Sequence, residues 1–252
     1  MSVGLARFIG VEKYVFFGTF VFGATLSVYS LQRIIRAKQV STLKSDRHQW
    51  IEEHQRVLLS LFVLGLLIAA ISYFLFLFSW KSLLLLSVFA SFSLLYAWRI
   101  NKNGYSLREL PYIKIHLIAI TWTIILVVWP LMHSGLAISV YLPLIIALYL
   151  YLLATTIPFD IRDLSYDATT QKTIPQIFGV NGAKMLAFIL LLLSGFLFYF
   201  TYSDIIYSPW LYVLFSGNIA QVLLTSPTRK ELFFSCWIDG WYIVLGILFY
   251  SL

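Results

Sequence analysis

The run Leu58–Phe78 contains no charged residue and no alternation of apolar with polar side chains, and Ile189–Phe200 repeats that pattern. A bilayer core of about 30 Å is crossed by a helix of about 20 apolar residues. Barrel strands are instead about ten residues long and alternate, so they do not fit these runs. Composition agrees: 60% of the 252 residues are hydrophobic and only 12% are charged, against about a quarter charged in soluble domains. The chain therefore reads as an all-α polytopic transmembrane bundle. Windows of membrane-spanning length place spans near 14–32, 57–79, 82–98, 113–132, 136–156, 184–202, 207–224 and 236–252, with 82–98 the shortest. The single cysteine, Cys236, excludes an internal disulfide.

Basic residues orient the bundle. Of the eighteen Lys and Arg residues, only Arg7, Lys13 and Lys81 lie outside the loops 33–56, 99–114, 157–184 and 225–235. The positive-inside bias puts those four loops in the cytoplasm, and both termini then fall outside. Two accounts of that N-terminus stand: the first ten or so residues tuck back into the membrane, or an inward-starting helix is missing. The second is favoured. The net charge of +7 follows from loops anchored beside anionic lipid, so membrane lipid is an expected partner and nucleic acid is not. Four spans separate the two longest loops, 33–56 and 157–183, as two halves each carrying one loop would. No matching residues between halves support a repeat.

The chemistry concentrates in Thr156-Ile-Pro-Phe-Asp160-Ile-Arg162-Asp163-Leu-Ser-Tyr166-Asp167, followed by Lys172-Thr173-Ile-Pro175-Gln-Ile-Phe-Gly179. On a helix, Asp160, Asp163 and Asp167 fall within about 60° of one face. Three carboxylates there repel unless something positive sits among them. Mg²⁺ takes carboxylate oxygens and leaves positions for substrate phosphates, and Arg162 and Lys172 could grip phosphate directly. The structural alternative is a solvated helix end. Against it, the cluster extends an almost wholly apolar span, where carboxylates are costly and tend to mark sites.

This string, Asp160-x-x-Asp163-x-x-x-Asp167 with Lys172-Thr173-x-Pro175 and Gly179, resembles the second aspartate motif of the UbiA-type intramembrane prenyltransferases. Val28–Arg33, Arg47–Ile51 and Leu107–Lys114 look like a divergent bacterial branch of that family. The resemblance implies nine helices around a central cavity capped by cytoplasmic loops, with this chain lacking the first helix. It implies an integral protein of the bacterial cytoplasmic membrane whose active loops face the cytoplasm. The implied reaction transfers a prenyl group from a prenyl diphosphate to an aromatic or other lipophilic acceptor. Mg²⁺ would bridge Asp160, Asp163 and Asp167 to the diphosphate, and metal and basic side chains would stabilise the leaving group.

The family's first aspartate motif has no counterpart. The corresponding stretch, Tyr29-Ser-Leu-Gln32-Arg33-Ile-Ile-Arg36-Ala-Lys38, carries no carboxylate. Arg33, Arg36 and Lys38 would then neutralise the diphosphate in place of one metal, facing the second motif across the cavity, or else they are ordinary inner-edge anchors. Tyr96, Arg99 and Lys102 at the end of the third span correspond to a diphosphate- or acceptor-holding group, or to an aromatic belt with snorkelling cations. His116 and His133 read as hydrogen-bonded structural residues. Trp80, Trp129 and Trp210, near the outer ends of spans, read as interfacial belts. Asp204, Glu231 and Asp239 receive no role. The competing functions are a catalytically silent relative that binds lipid or a protein partner, and, last, a transporter. Spans 57–78 and 184–200 offer a transporter almost no polar groups at mid-depth.

Overall fold

The computed structural model describes residues 1–39, 46–77, 79–98 and 106–252. Helix accounts for 86% of the structure, and no strand occurs among the described residues. Among the described residues, six helices are long and apolar enough to cross a membrane: Tyr14–Ile35, Gln55–Leu75, Lys114–His133, Ile138–Ser165, Ile174–Thr201 and Phe233–Tyr250. The expected spans at 82–98 and 207–224 correspond to the shorter apolar helices Trp80–Tyr96 and Pro209–Leu224. The second is 16 residues, about 24 Å at 1.5 Å per residue, short of a 30 Å core. The architecture is that of a helical membrane protein.

The chain divides into two compact units, one of Met1–Glu12 with Pro111–Leu252, the other of Lys13–Leu110. Each contains one of the two long loops. Helix α1 (Ser2–Ile9) belongs to the first unit. Helices α2 (Tyr14–Gln39), α3 (Asp46–Glu53), α4 (Gln55–Ser72) and α5 (Trp80–Ala97) make up the second. The first unit continues with α6 (Lys114–Thr123), α7 (Trp129–His133), α8 (Leu142–Arg162), α9 (Ile174–Thr201), α10 (Pro209–Leu224) and α11 (Asp239–Tyr250).

In the second unit α2 packs along α4. Gly23 and Gly65 make the approach possible: a Cβ on Gly65 would fall 2.6 Å from the Gly23 carbonyl oxygen. Such close crossings of small residues replace the hydrophobic drive that lipid cannot supply. Ser27 Oγ donates to the Phe62 carbonyl at 3.0 Å beside this crossing, and Gln32 Nε2 ties α2 to α5 through the Ser93 carbonyl at 2.8 Å.

In the first unit α8 is the central helix, packed by α6 and α9, with Leu144, Ala147, Leu148, Tyr151, Ala154 and Ile157 fully buried. Its apolar residues surround the axis, as a helix enclosed by others requires. Pro158 interrupts its last turns and removes one backbone donor. Helix α6 runs into α7 through a wide π turn at Ile124–Val128. Trp129, expected at an outer belt, is instead 1% exposed and fills the unit's core. Helix α1 lies against α11 with Leu5, Ala6 and Ile9 buried and ends at Gly10, whose φ of 87° is the left-handed cap glycine supplies. Residues 1–9 thus fold back as a packed helix.

Candidate functional site

The acidic motif begins in the last turn of α8 and leaves it. The helix ends at Arg162, Asp163–Ser165 tighten into a 3₁₀ turn, and the Asp167 N–H donates to the Asp163 carbonyl at 2.8 Å. Asp167 therefore does not sit on the α8 face expected for all three carboxylates. They converge nonetheless, because a lysine gathers them. Lys114, the first residue of α6, places Nζ 2.8 Å from Asp160 Oδ1, 2.6 Å from Asp167 Oδ2 and 3.8 Å from Asp163 Oδ2. The Lys114 side chain is 8% exposed and that of Asp160 only 2%. The sequence places Lys114 among the loop cations and at the end of the Leu107–Lys114 string, without a site role. Its sequence signal is its place at the first position of an apolar span, where a lysine reaches its ammonium out to water unless a partner meets it.

Arg162 is committed elsewhere than to an open phosphate site. Its Nε donates to Asp163 Oδ1 at 2.7 Å and its Nη1 to Glu231 Oε1 at 3.1 Å. Its guanidinium also lies over the rings of Phe159 and Phe234, at 5.1 and 5.4 Å. Glu231, to which the sequence assigned nothing, thus joins the cluster's margin. A forked, flat cation between two carboxylates and two aromatic faces suits arginine.

The loop after the motif is held firmly. Gln176, in the first turn of α9, accepts from the Thr173 N–H at 3.0 Å and donates Nε2 to the carbonyls of Asp167 and Ala168, both at 3.2 Å. Pro175 at the start of α9 suits a first turn that needs no donor. Gln176 thereby positions Asp167. Gly179 has φ 69° and ψ 172°, a region open essentially to glycine alone. It breaks α9 after one turn, which places the uninterrupted helix close to the expected start of that span. The Tyr112 N–H donates to the Gln171 carbonyl at 3.2 Å, joining this loop to the segment before α6. Tyr112 and Lys172 both hold left-handed backbone, with φ of 65° and 47°. Lys172 is exposed, its ammonium 5.8 Å from the centre of the Tyr112 ring.

The other sequence candidates lie in the second unit. Arg33 has its guanidinium 5.3 Å from the centre of the Tyr29 ring. Arg36 lies on α2, and Tyr96 lies near the end of α5. Arg99 and Lys102 fall outside the described residues. His116 Nδ1 lies 2.7 Å from the Tyr149 hydroxyl, a structural hydrogen bond of the kind expected.

Among the described residues, no three acidic, histidine or cysteine side chains are arranged to hold a metal ion as they stand; Lys114 Nζ takes the centre of the trio. The donor set nevertheless fits a hard divalent cation. Asp160 and Asp167 share a single ammonium, so one negative charge remains over at a buried point, where such an imbalance is costly. A divalent cation in place of the ammonium would balance the pair. Asp160 Oδ1 meets the Lys114 ammonium at 2.8 Å, and the buried Gln171 Oε1 has no hydrogen-bond partner. Both are oxygen acceptors of the type Mg²⁺ takes. No family model, curated relative or solved structure matches the chain.

Proposed function

We propose that the chain is an integral membrane prenyltransferase of the UbiA type, transferring a prenyl group from a prenyl diphosphate to a lipophilic acceptor. The observation that carries this reading is the under-compensated trio. Asp160, Asp163 and Asp167 meet around Lys114 at the end of an apolar helix, and with Arg162 on Asp163 two cations face the three carboxylates. In this reading Asp160, Asp163 and Asp167 would hold Mg²⁺, which would supply charge neutralisation for a departing diphosphate. Lys114 would then offer its ammonium to the phosphate oxygens. Arg162 keeps Asp163 oriented, Gln176 keeps Asp167 in place, and Lys172 closes the phosphate end from the exposed loop. The apolar helices house the prenyl tail, and the loops face the cytoplasm of a bacterial inner membrane.

A second reading has its own support, since Lys114 already reaches all three carboxylates and the cluster could serve only to fasten α6 to the loop after α8. The chain would then be a silent relative binding lipid or a protein partner. One experiment separates the two. Purified protein in nanodiscs is titrated with labelled farnesyl diphosphate, with and without Mg²⁺, beside the Asp163→Asn variant. The transferase reading expects binding that needs Mg²⁺ and weakens at least tenfold in the variant. Binding indifferent to both would overturn it.

A further inference from the structure

The C-terminal end of α10 is closed partly by its own chain and partly by two cations. The last four carbonyls of a helix have no partner within it. Here the Thr225 N–H donates to the Gln221 carbonyl at 3.0 Å and reaches the Val222 carbonyl at 3.4 Å. Lys184 Nζ, from α9, donates to the Leu223 carbonyl at 2.8 Å, and Arg229 Nε donates to the Leu224 carbonyl at 3.0 Å. Two cations are thus fixed on adjacent carbonyls. The turn that carries Arg229 is held as well. Its Thr228 N–H donates to Ser226 Oγ at 3.1 Å, and the Arg229 N–H donates to the Ser226 carbonyl at 3.2 Å.

The positive charge gathered there exceeds what the helix end absorbs. A helix C-terminus carries about half a negative charge, and two full positive charges meet it, with Lys230 next in the chain. Among the described residues no carboxylate pairs with Lys184, Arg229 or Lys230, and the neighbouring Glu231 is engaged by Arg162. The Arg229 guanidinium is held at Nε and lies 5.5 Å from the centre of the Phe233 ring. Its plane is therefore set, while Nη1 and Nη2 make no hydrogen bond to the described residues. A fixed guanidinium edge, with an ammonium bonded to the next carbonyl, suits two oxygens of a phosphate. The surroundings select the kind of phosphate. Leu223, Leu224 and Leu232 are exposed beside these cations. Helix α10 is 16 residues long, about 24 Å against a hydrocarbon core of about 30 Å, so lipid headgroups are drawn down to its end. A soluble anion leaves those leucines uncovered, whereas the acyl chains of a phospholipid cover them.

We infer that Arg229 and Lys184 form a binding site for the phosphate of an anionic phospholipid, with Lys230 adding charge and the acyl chains lying on the exposed leucines. The site stands independently of any diphosphate chemistry at Asp160. It also differs from general anchoring beside anionic lipid, in which every cation at a membrane edge is equivalent. Purified protein in detergent is given an equal mixture of phosphatidylglycerol and phosphatidylcholine with the same acyl chains, and retained lipid is counted by native mass spectrometry. Wild type is compared with Lys184→Gln, Arg229→Gln, their double variant and Lys81→Gln, a cation elsewhere in the chain. Glutamine keeps an N–H donor and removes the charge, and circular dichroism melts in phosphatidylcholine alone show which variants remain folded. Wild type is expected to prefer phosphatidylglycerol about tenfold, and each single change at 184 or 229 to cut that preference about fivefold. The double variant should lose it, Lys81→Gln should keep it, and inorganic phosphate in large excess should not displace the lipid. No preference in wild type, an undiminished preference in either single variant, an equal loss in Lys81→Gln, or displacement by inorganic phosphate would each overturn the site.

Discussion

Lys114 Nζ lies 2.6 Å from Asp167 Oδ2, a buried ion pair between residues 53 positions apart. It joins the first residue of α6 to the loop that follows α8.

Replacing that lysine should be severe. In Lys114→Met, Asp160 and Asp167 lose their shared cation, and breaking one side of a buried pair typically costs about 3–5 kcal/mol. Denaturation in detergent should show a loss of that size. If a divalent ion can take the vacated point, millimolar Mg²⁺ should restore part of it. An unchanged midpoint would mean that Lys114 does not hold the cluster in solution.

The aspartates should separate by role. Asp167→Asn removes the shortest contact of the cluster and should destabilise the protein by about 1–3 kcal/mol. Asp163→Asn should cost less, because Asp163 stands 3.8 Å from Lys114 and is 14% exposed. Its larger effect should fall on Mg²⁺-dependent diphosphate binding. Equal stability losses with intact binding would favour the silent relative.

Arg162→Lys keeps the charge and loses the fork and the stacking on Phe159 and Phe234. A loss of about 1–2 kcal/mol is expected in thermal unfolding. Glu231→Gln should cost under about 1 kcal/mol, since Glu231 is 54% exposed and water screens its partnership.

Two glycines on α11 and its neighbour should respond in opposite ways. A Cβ on Gly4 would lie 2.0 Å from the Gly246 carbonyl oxygen, so Gly4→Ala must push α1 from α11, at about 1–3 kcal/mol for such overpacking. Gly240 has nothing within 4 Å of its would-be Cβ, and Gly240→Ala should be neutral or stabilise by up to about 1 kcal/mol through helix propensity. Circular dichroism melts of the pair would show whether α1 packs as described.

Parts of the candidate site were legible along the chain, and parts were not. The acid positions 160, 163 and 167 stood out because carboxylates bordering an apolar span need a reason to be there. Their partner did not, because nothing local distinguishes Lys114 from other basic residues in cytoplasmic-side loops. Gln176 and Glu231 escaped for the same cause: their roles are contacts across a turn or between helices. Arg162 looked like a phosphate ligand from spacing alone, whereas its fork is spread between Asp163 and Glu231. The helical reading of 160–167 placed the trio on one face, yet the 3₁₀ turn at Asp163 ends that geometry before Asp167.

By itself the sequence determined that this protein is helical and lives in a membrane, since runs without charge or alternation allow no other way to pair every backbone group in lipid. It also located where charge collects, because cations and carboxylates are excluded from apolar spans and must appear at their ends. Only the tertiary structure decided which cation meets which carboxylate, that α1 folds back onto α11, and that Gln221 on α10 is buried with neither end of its amide paired. Those outcomes depend on distances between segments far apart in the chain, and periodicity along a single helix carries no record of them.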